Sequence, residues 1–231
     1  LIDSSTNNFT VTKNGDTTVK AFHPFATVYD YGTAYYSTYF DGSGDYLTVA
    51  SGSGPGDFSG DFTIEFWARK IANSGTTYDA VISAQTGTTL KWILELSSTR
   101  GFIFIAVTTG NPTVANSSVT INDGLWHHWA ICRSGSTSYL FKDGTALSKT
   151  TDTLSTTSIT GGTTFSVGAE FDGASTFYFN GSISNLRVVK GLAVYTGNFT
   201  VPTSPLAITQ TSSANVAAIS GIPVNGNSVY F

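Results

Sequence analysis

Short runs rich in Val, Ile, Thr and aromatic residues recur along this chain, bounded by Gly, Asn, Asp and Ser, and helical periodicity is nearly absent. This pattern is that of a β-sandwich or barrel. It is cleanest from Phe62 to Ala68. Successive side chains of a strand point to opposite faces, so Phe62, Ile64, Phe66 and Ala68 share one face, and Thr63, Glu65 and Trp67 the other. Further strands are predicted over 46–49, 78–84, 90–96, 102–107, 126–133, 138–142, 164–169 and 177–189. Trp126 and Trp129 lie three positions apart, so they face opposite sides and one of them belongs to the core. Ser134 to Thr137 and Asp143-Gly144 carry turn signals of the hairpin type. Leu192 to Tyr195 is predicted as a short helical turn that caps one end.

A hydrophobic content of 40% in 231 residues allows one large β domain with a substantial core. Charged residues are only 11%, well below the usual quarter or so. The polar surface is therefore built of Thr, Ser, Asn and Gly, which suits an exported protein or a subunit embedded in a larger assembly. With a net charge of −4 and no basic cluster longer than Arg69-Lys70, the chain lacks the basic stripe that nucleic acid requires. No segment reaches the roughly 20 apolar residues of a membrane-crossing helix, so no membrane insertion is expected. Cys132 is the only cysteine and sits in the apolar run Trp129 to Cys132, where a buried, inert thiol is expected. The chain has no Met and begins at Leu1, as a processed product or a part of a longer protein would.

Three regions are expected. Residues 1–37 form a polar extension with a hairpin, Phe9–Thr12 and Thr17–Lys20 around the turn signal Asn14-Gly15. Residues 38–206 form the sandwich. Residues 207–231 form a Thr/Ser/Ala-rich tail ending in Val229-Tyr230-Phe231. Neither flank holds enough apolar residues for a core of its own, so each is expected to order against the sandwich edge or a neighbouring chain.

Five segments, in order, carry a family resemblance: Tyr39 to Leu47 (YFDGSGDYL), Phe62 to Trp67 (FTIEFW), Asp123 to Ala130 (DGLWHHWA), Leu140 to Gly144 (LFKDG) and Phe179 to Val188 (FNGSISNLRV). Together they resemble the laminin G-like jelly rolls of the concanavalin A-like superfamily. The resemblance implies an all-β, two-sheet antiparallel sandwich. The wording of 7–15 and 190–200 is similar to laminin G-like domains in virion proteins of marine bacteriophages, especially those of cyanobacteria. It implies a virion structural protein (fibre, appendage or capsid decoration) at the virion surface or outside the cell. Its partners would be other virion proteins or copies of itself, with adhesion to cell-surface glycan. The alternative is a carbohydrate-binding, lectin-like module of a secreted or surface protein.

Catalytic carboxylates of the superfamily's glucanases would stand as a pair roughly 5 Å apart. Glu65 is the one acid of its strand and Glu95 stands alone in Leu94-Glu95-Leu96, so no enzyme is expected. Adjacent strand residues such as His127 and His128 face opposite sides and do not chelate one ion; packing or hydrogen bonding is expected of them. The segment Val167 to Asp172 resembles the acidic loop by which pentraxins hold calcium. That likeness makes Glu170 and Asp172 candidate calcium ligands, although no cofactor is required by the fold and the Asp-Asn pair which that site draws from an earlier loop is missing between Val81 and Leu90. Tyr29, Tyr31, Tyr35, Tyr36 and Tyr39 form an aromatic run. With Phe231, Tyr29, Tyr31, Tyr35 and Tyr36 are the candidate contacts to glycan or to another subunit.

Overall fold

The computed structural model describes residues 3–5, 7–25, 35–50, 56–71, 78–172, 175–220 and 229–230, and among them there are strands and no helix. In chain order the strands are β1 (Val11–Asn14), β2 (Thr18–Lys20), β3 (Ser37–Asp41), β4 (Tyr46–Ala50), β5 (Phe62–Lys70), β6 (Ala80–Thr86), β7 (Thr89–Ser97), β8 (Gly101–Ala106), β9 (Thr113–Asn116) and β10 (Trp126–Ser134). They continue as β11 (Thr137–Lys142), β12 (Thr145–Ala146), β13 (Thr151–Asp152), β14 (Thr164–Val167), β15 (Ala169–Asp172), β16 (Ser175–Tyr178), β17 (Asn180–Lys190), β18 (Thr209–Gln210), β19 (Ile219–Ser220) and β20 (Val229–Tyr230). The first sheet has the order β1-β4-β14-β6-β7-β8-β9-β13, and the second β12-β11-β10-β5-β17-β3-β2. The long β17 is flanked on one side by β3 at Asn180–Ile183 and by β20 at Arg187–Val188. All of these pairings are antiparallel.

Alternation sets what each sheet gives to the core. Phe62, Ile64, Phe66 and Ala68 of β5 meet Trp92, Leu94 and Leu96 of β7 and Phe102, Phe104 and Ala106 of β8, all buried. Aromatic rings interlock there: Phe58 stacks on Phe62 at 4.4 Å, Trp92 meets Phe104 at 5.4 Å, and Phe102 meets Trp129 edge-on at 5.2 Å. Each such side chain contributes about 1.5–3 kcal/mol by burial. Trp129 is the core member of its pair, and Trp126 is half-buried against Phe22.

The other face of β5 is buried as well. Thr63, Glu65 and Trp67 are covered by chain that alternation alone does not foretell. Val194, Tyr195 and Ile219 pack there with Cys132, Phe141 and Val189 as a second apolar cluster. The Glu65 carboxylate accepts hydrogen bonds from Arg187 Nε (2.7 Å) and the Tyr195 hydroxyl (2.8 Å), and His128 Nε2 lies 3.1 Å away. Burial alone would raise its pKa, yet Arg187, His128 and Tyr195 hold it down at about 2. Burial pushes the Cys132 thiol up to about 12, so it is inert at neutral pH.

Four local expectations are corrected. The Asn14-Gly15 turn forms, with Gly15 at φ 70°, but it does not close a hairpin. Strand β1 pairs β4 in the first sheet and β2 pairs β3 in the second, so the turn is a corner between sheets that covers an edge of each. Leu192 to Tyr195 makes no helical turn. Val194 N donates to Thr63 Oγ1 (2.8 Å) and its carbonyl accepts from Ala217 N (2.8 Å), so its backbone is satisfied by neighbouring chain instead. The predicted strand 164–169 breaks at Gly168, and 177–189 breaks at Phe179. Gly168 has φ 86° and presses on the Phe40 ring, where a Cβ would stand 2.5 Å from ring carbons. Phe179 donates its N–H to the Gly168 carbonyl (2.9 Å) and inserts into the core. Together they release β15 and β16 from the sheet as a separate hairpin.

Glu65→Ala leaves Arg187 buried without its carboxylate. The expected loss is about 3–5 kcal/mol of stability, read by urea denaturation; a loss under about 1 kcal/mol would contradict this account of the outer face.

Candidate functional site

The released hairpin creates the site. Core-facing Trp92 and Leu94 leave Ile93 and Glu95 on the opposite, outer face of β7. Hairpin β15–β16 packs over that face, anchored by Ser83 Oγ donating to the Ala169 carbonyl (2.8 Å). Between them lies a cleft of about 630 Å³, lined by Tyr78, Ile93, Glu95, Arg100, Glu170 and Phe177 among others. Tyr78 and Phe177 are half-buried and meet edge-to-face at 5.2 Å. The Arg100 guanidinium lies 3.8 Å above the Tyr78 ring and forms an ion pair with Glu95.

Glu95 is almost fully buried, while the Arg100 side chain is about one-third exposed. Burial outweighs the attraction of Arg100, and Asp79 adds a small push in the same direction, so the Glu95 pKa rises to about 7. Glu95 Oε2 and Arg100 Nε have no hydrogen-bond partner among the described residues. An unsatisfied acceptor and donor of this kind, buried side by side, call for an explanation. A cleft with aromatic walls, a few polar groups at its floor and a shifted pKa has the chemistry of a binding site.

Of the residues singled out from sequence, Glu170 lines this cleft, buried, opposite Phe177 in the hairpin. It therefore belongs to a strand and not to a solvated acidic loop. Asp172 ends the same strand, paired with Ser175. Tyr35 and Tyr36 are elsewhere: 42% and 52% exposed, they flank an apolar groove of about 380 Å³ with Val19, Ile183, Leu186 and Pro205. Tyr39 lies under the Lys20 ammonium. Tyr29, Tyr31 and Phe231 lie outside the described residues. The two histidines do face opposite ways. His128 is buried on Glu65, whereas His127 bridges Asp143 (2.5 Å) and Asp123 (2.9 Å), which raise its pKa. Sequence reading missed Tyr78, Arg100 and Phe177. The only signal was a lone acid, Glu95, five residues before an arginine at the β7–β8 turn.

Because the folded chain keeps a proton on Glu95 that the unfolded chain has released, stability should fall as pH rises from the ordinary 4.5 to about 7, and level off above. Glu95→Gln should flatten that segment of the curve. Urea midpoints measured across this range check it, and parallel curves for the two proteins would contradict it.

Residues 41–192 of the 231 match the Laminin_G_3 family model, described as the concanavalin A-like lectin/glucanases superfamily. No curated protein sequence matches the chain. Among solved structures it is similar to the binding domain of botulinum neurotoxin serotype C1, at 15% identity and a TM-score of 0.58, over 81% of this chain and 45% of that one. It is also similar to botulinum neurotoxin type C in a structure whose cell entry depends on interaction with two ganglioside molecules (15%, TM-score 0.57, covering 81% and 44%). A third is domain 4 of AbnA, an extracellular arabinanase from Geobacillus stearothermophilus, in complex with arabinotriose (15%, TM-score 0.53, covering 80% and 84%). The chain thus spans less than half the length of the toxin chains, and at these identities the likeness is one of fold. With more than half of its residues matched and its strands arranged as a two-sheet jelly roll, the chain belongs to the Laminin_G_3 family of the concanavalin A-like lectin/glucanases superfamily.

Proposed function

We propose that this chain is a lectin-like binding module that holds a glycan in the cleft between β7, β8 and the β15–β16 hairpin. The observation that carries this reading is the unsatisfied pair Arg100 Nε and Glu95 Oε2 in a cleft that Tyr78 and Phe177 also line. A vicinal diol offers one acceptor and one donor. It reaches them as the partly exposed guanidinium swings off Tyr78. Sugar C–H faces pack on aromatic rings, while Asn111, Thr88 and Thr89 at the rim add polar contacts. Arabinotriose bound to a domain of the same fold, and ganglioside dependence in another, support a sugar as the ligand class. The low charge and Thr/Ser/Asn surface fit display outside a cell.

The setting on a phage virion rests on the wording of 7–15 and 190–200 alone. A structural role there draws support from the exposed groove at Tyr35 and Tyr36, a surface for another copy or another virion protein. Sedimentation velocity on the whole chain tests that role. Self-association weakened by Tyr36→Ser supports it, and a monomer at every concentration contradicts it.

For the glycan, an array followed by calorimetry on the best sugar is the test. Arg100→Ala should cost about 1.5–3 kcal/mol of binding, roughly tenfold to a hundredfold in Kd, and Phe177→Ala should weaken it in the same direction. Phe177 is partly exposed, so its variant should lower the melting temperature little; Arg100→Ala takes the ion partner from buried Glu95 and should lower it, so its affinity is measured well below its own melting point. No binding to any sugar, or binding that both variants retain in full, would contradict the assignment.

A further inference from the structure

Where the corner between β1 and β2 meets the turn between β3 and β4, we propose a calcium site formed by Asp16, Asp41 and Asp45. One carboxylate oxygen from each lies within 4.8 Å of the others. Oxygens bound to one calcium at about 2.3–2.6 Å stand no more than roughly twice that distance apart, so all three fit a single coordination sphere.

Asp45 is the residue that points to a ligand. Its side chain is 1% exposed, and among the described residues no N–H or hydroxyl donates to its Oδ1; the side chain within hydrogen-bonding reach of Asp45 is the Asp16 carboxyl. Oδ2 is used, accepting from Asp41 N at 3.2 Å. The free oxygen faces the corner that carries Asp16. A Cβ built on Gly15 would stand 2.5 Å from Asp45 Oδ1 and 2.4 Å from the Gly44 carbonyl oxygen. The glycine thus leaves open a small cradle in which a carboxylate and a carbonyl oxygen converge. Among the described residues no Lys, Arg or His pairs with any of the three acids. Burial pushes the Asp45 carboxyl up, the hydrogen bond from the Asp41 N–H works against it, and the side chain of Asp16 pushes it further up.

The donor set is all oxygen, which selects a hard cation. Asp16 and Asp41 are exposed, so water completes the six to eight ligands that calcium takes, with no need for the rigid octahedron of magnesium. The ion would tie the N-terminal corner to the sandwich at a point where the chain crosses between the two sheets. This site is separate from Glu170 and Asp172 and independent of the glycan reading.

The test is calorimetry of the whole chain, stripped with EDTA, titrated with calcium chloride and in parallel with magnesium chloride, together with melting curves. One calcium per chain, a higher melting temperature with calcium than with EDTA, and weaker magnesium binding are expected. Outer-shell partners of a metal site are worth about 10–100-fold in affinity, so loss of a ligand should cost at least about tenfold. Asp45→Asn and Asp16→Asn should both show that loss, the exposed Asp16 serving as the variant that leaves the fold intact. Asp172→Asn should bind calcium as the parent does. No calcium binding would overturn the proposal. So would binding that survives both Asp45→Asn and Asp16→Asn, or binding lost only in Asp172→Asn, which would place the ion in the β15–β16 hairpin. A protonated Asp45 would instead show as an Asp45→Asn chain that melts higher than the parent, with calcium changing neither.

Discussion

The buried carboxylate of Glu65 decides which faces of this sandwich are open. A charge in that position costs several kcal/mol of desolvation unless its partners are well placed. Here the partners of this β5 acid come from three other parts of the chain: β17 supplies Arg187, β10 supplies His128, and the segment after β17 supplies Tyr195. Arg187 reaches further, donating to the Ala207 carbonyl and to Gln210 Oε1. The network therefore fixes the C-terminal stretch onto the outer face of the second sheet. With the apolar cluster of Val194, Tyr195 and Ile219 around it, that part of the face is closed to ligands.

The outer face of the first sheet is treated differently. Two neighbours in space, Gly168 after β14 of the first sheet and Phe179 before β17 of the second, mark where the chain leaves one sheet and enters the other. One needs a positive φ and room for the Phe40 ring; the other drives its own ring into the core. The strands that leave pair only with each other and lean over β6 and β7. The result is a cleft with the sheet as its floor and a hairpin as its wall. Its chemistry comes from the outward members of the same alternation that builds the core.

Much of this was legible in the sequence, and the part that was not has a common cause. The inward face of β5, the division of Trp126 and Trp129 between core and outer face, the β10–β11 hairpin, and the Asp143-Gly144 turn (φ 50° and 72°) all follow from local rules of period and turn chemistry. Local rules also divided the two histidines correctly. They fail where partners are remote. Arg187 and Tyr195 stand 122 and 130 positions from Glu65, so alternation could place that acid on the outer face and say nothing of what covers it. Glu95 read as a lone acid because its surroundings, Tyr78, Glu170 and Phe177, come from three other segments. The Asn14-Gly15 turn is correct in its local geometry and misleading in its context, because whether a turn closes a hairpin or a corner depends on where each strand finds an edge.

The proposed sugar site is the cleft under the β15–β16 hairpin. Amide chemical-shift mapping of the whole chain, titrated with its best glycan, addresses this directly. The largest shifts are expected at Tyr78, Ile93, Arg100 and Phe177, with Tyr35 and Tyr36 unmoved. Shifts confined to the Tyr35–Tyr36 groove, or scattered without saturation, would contradict it.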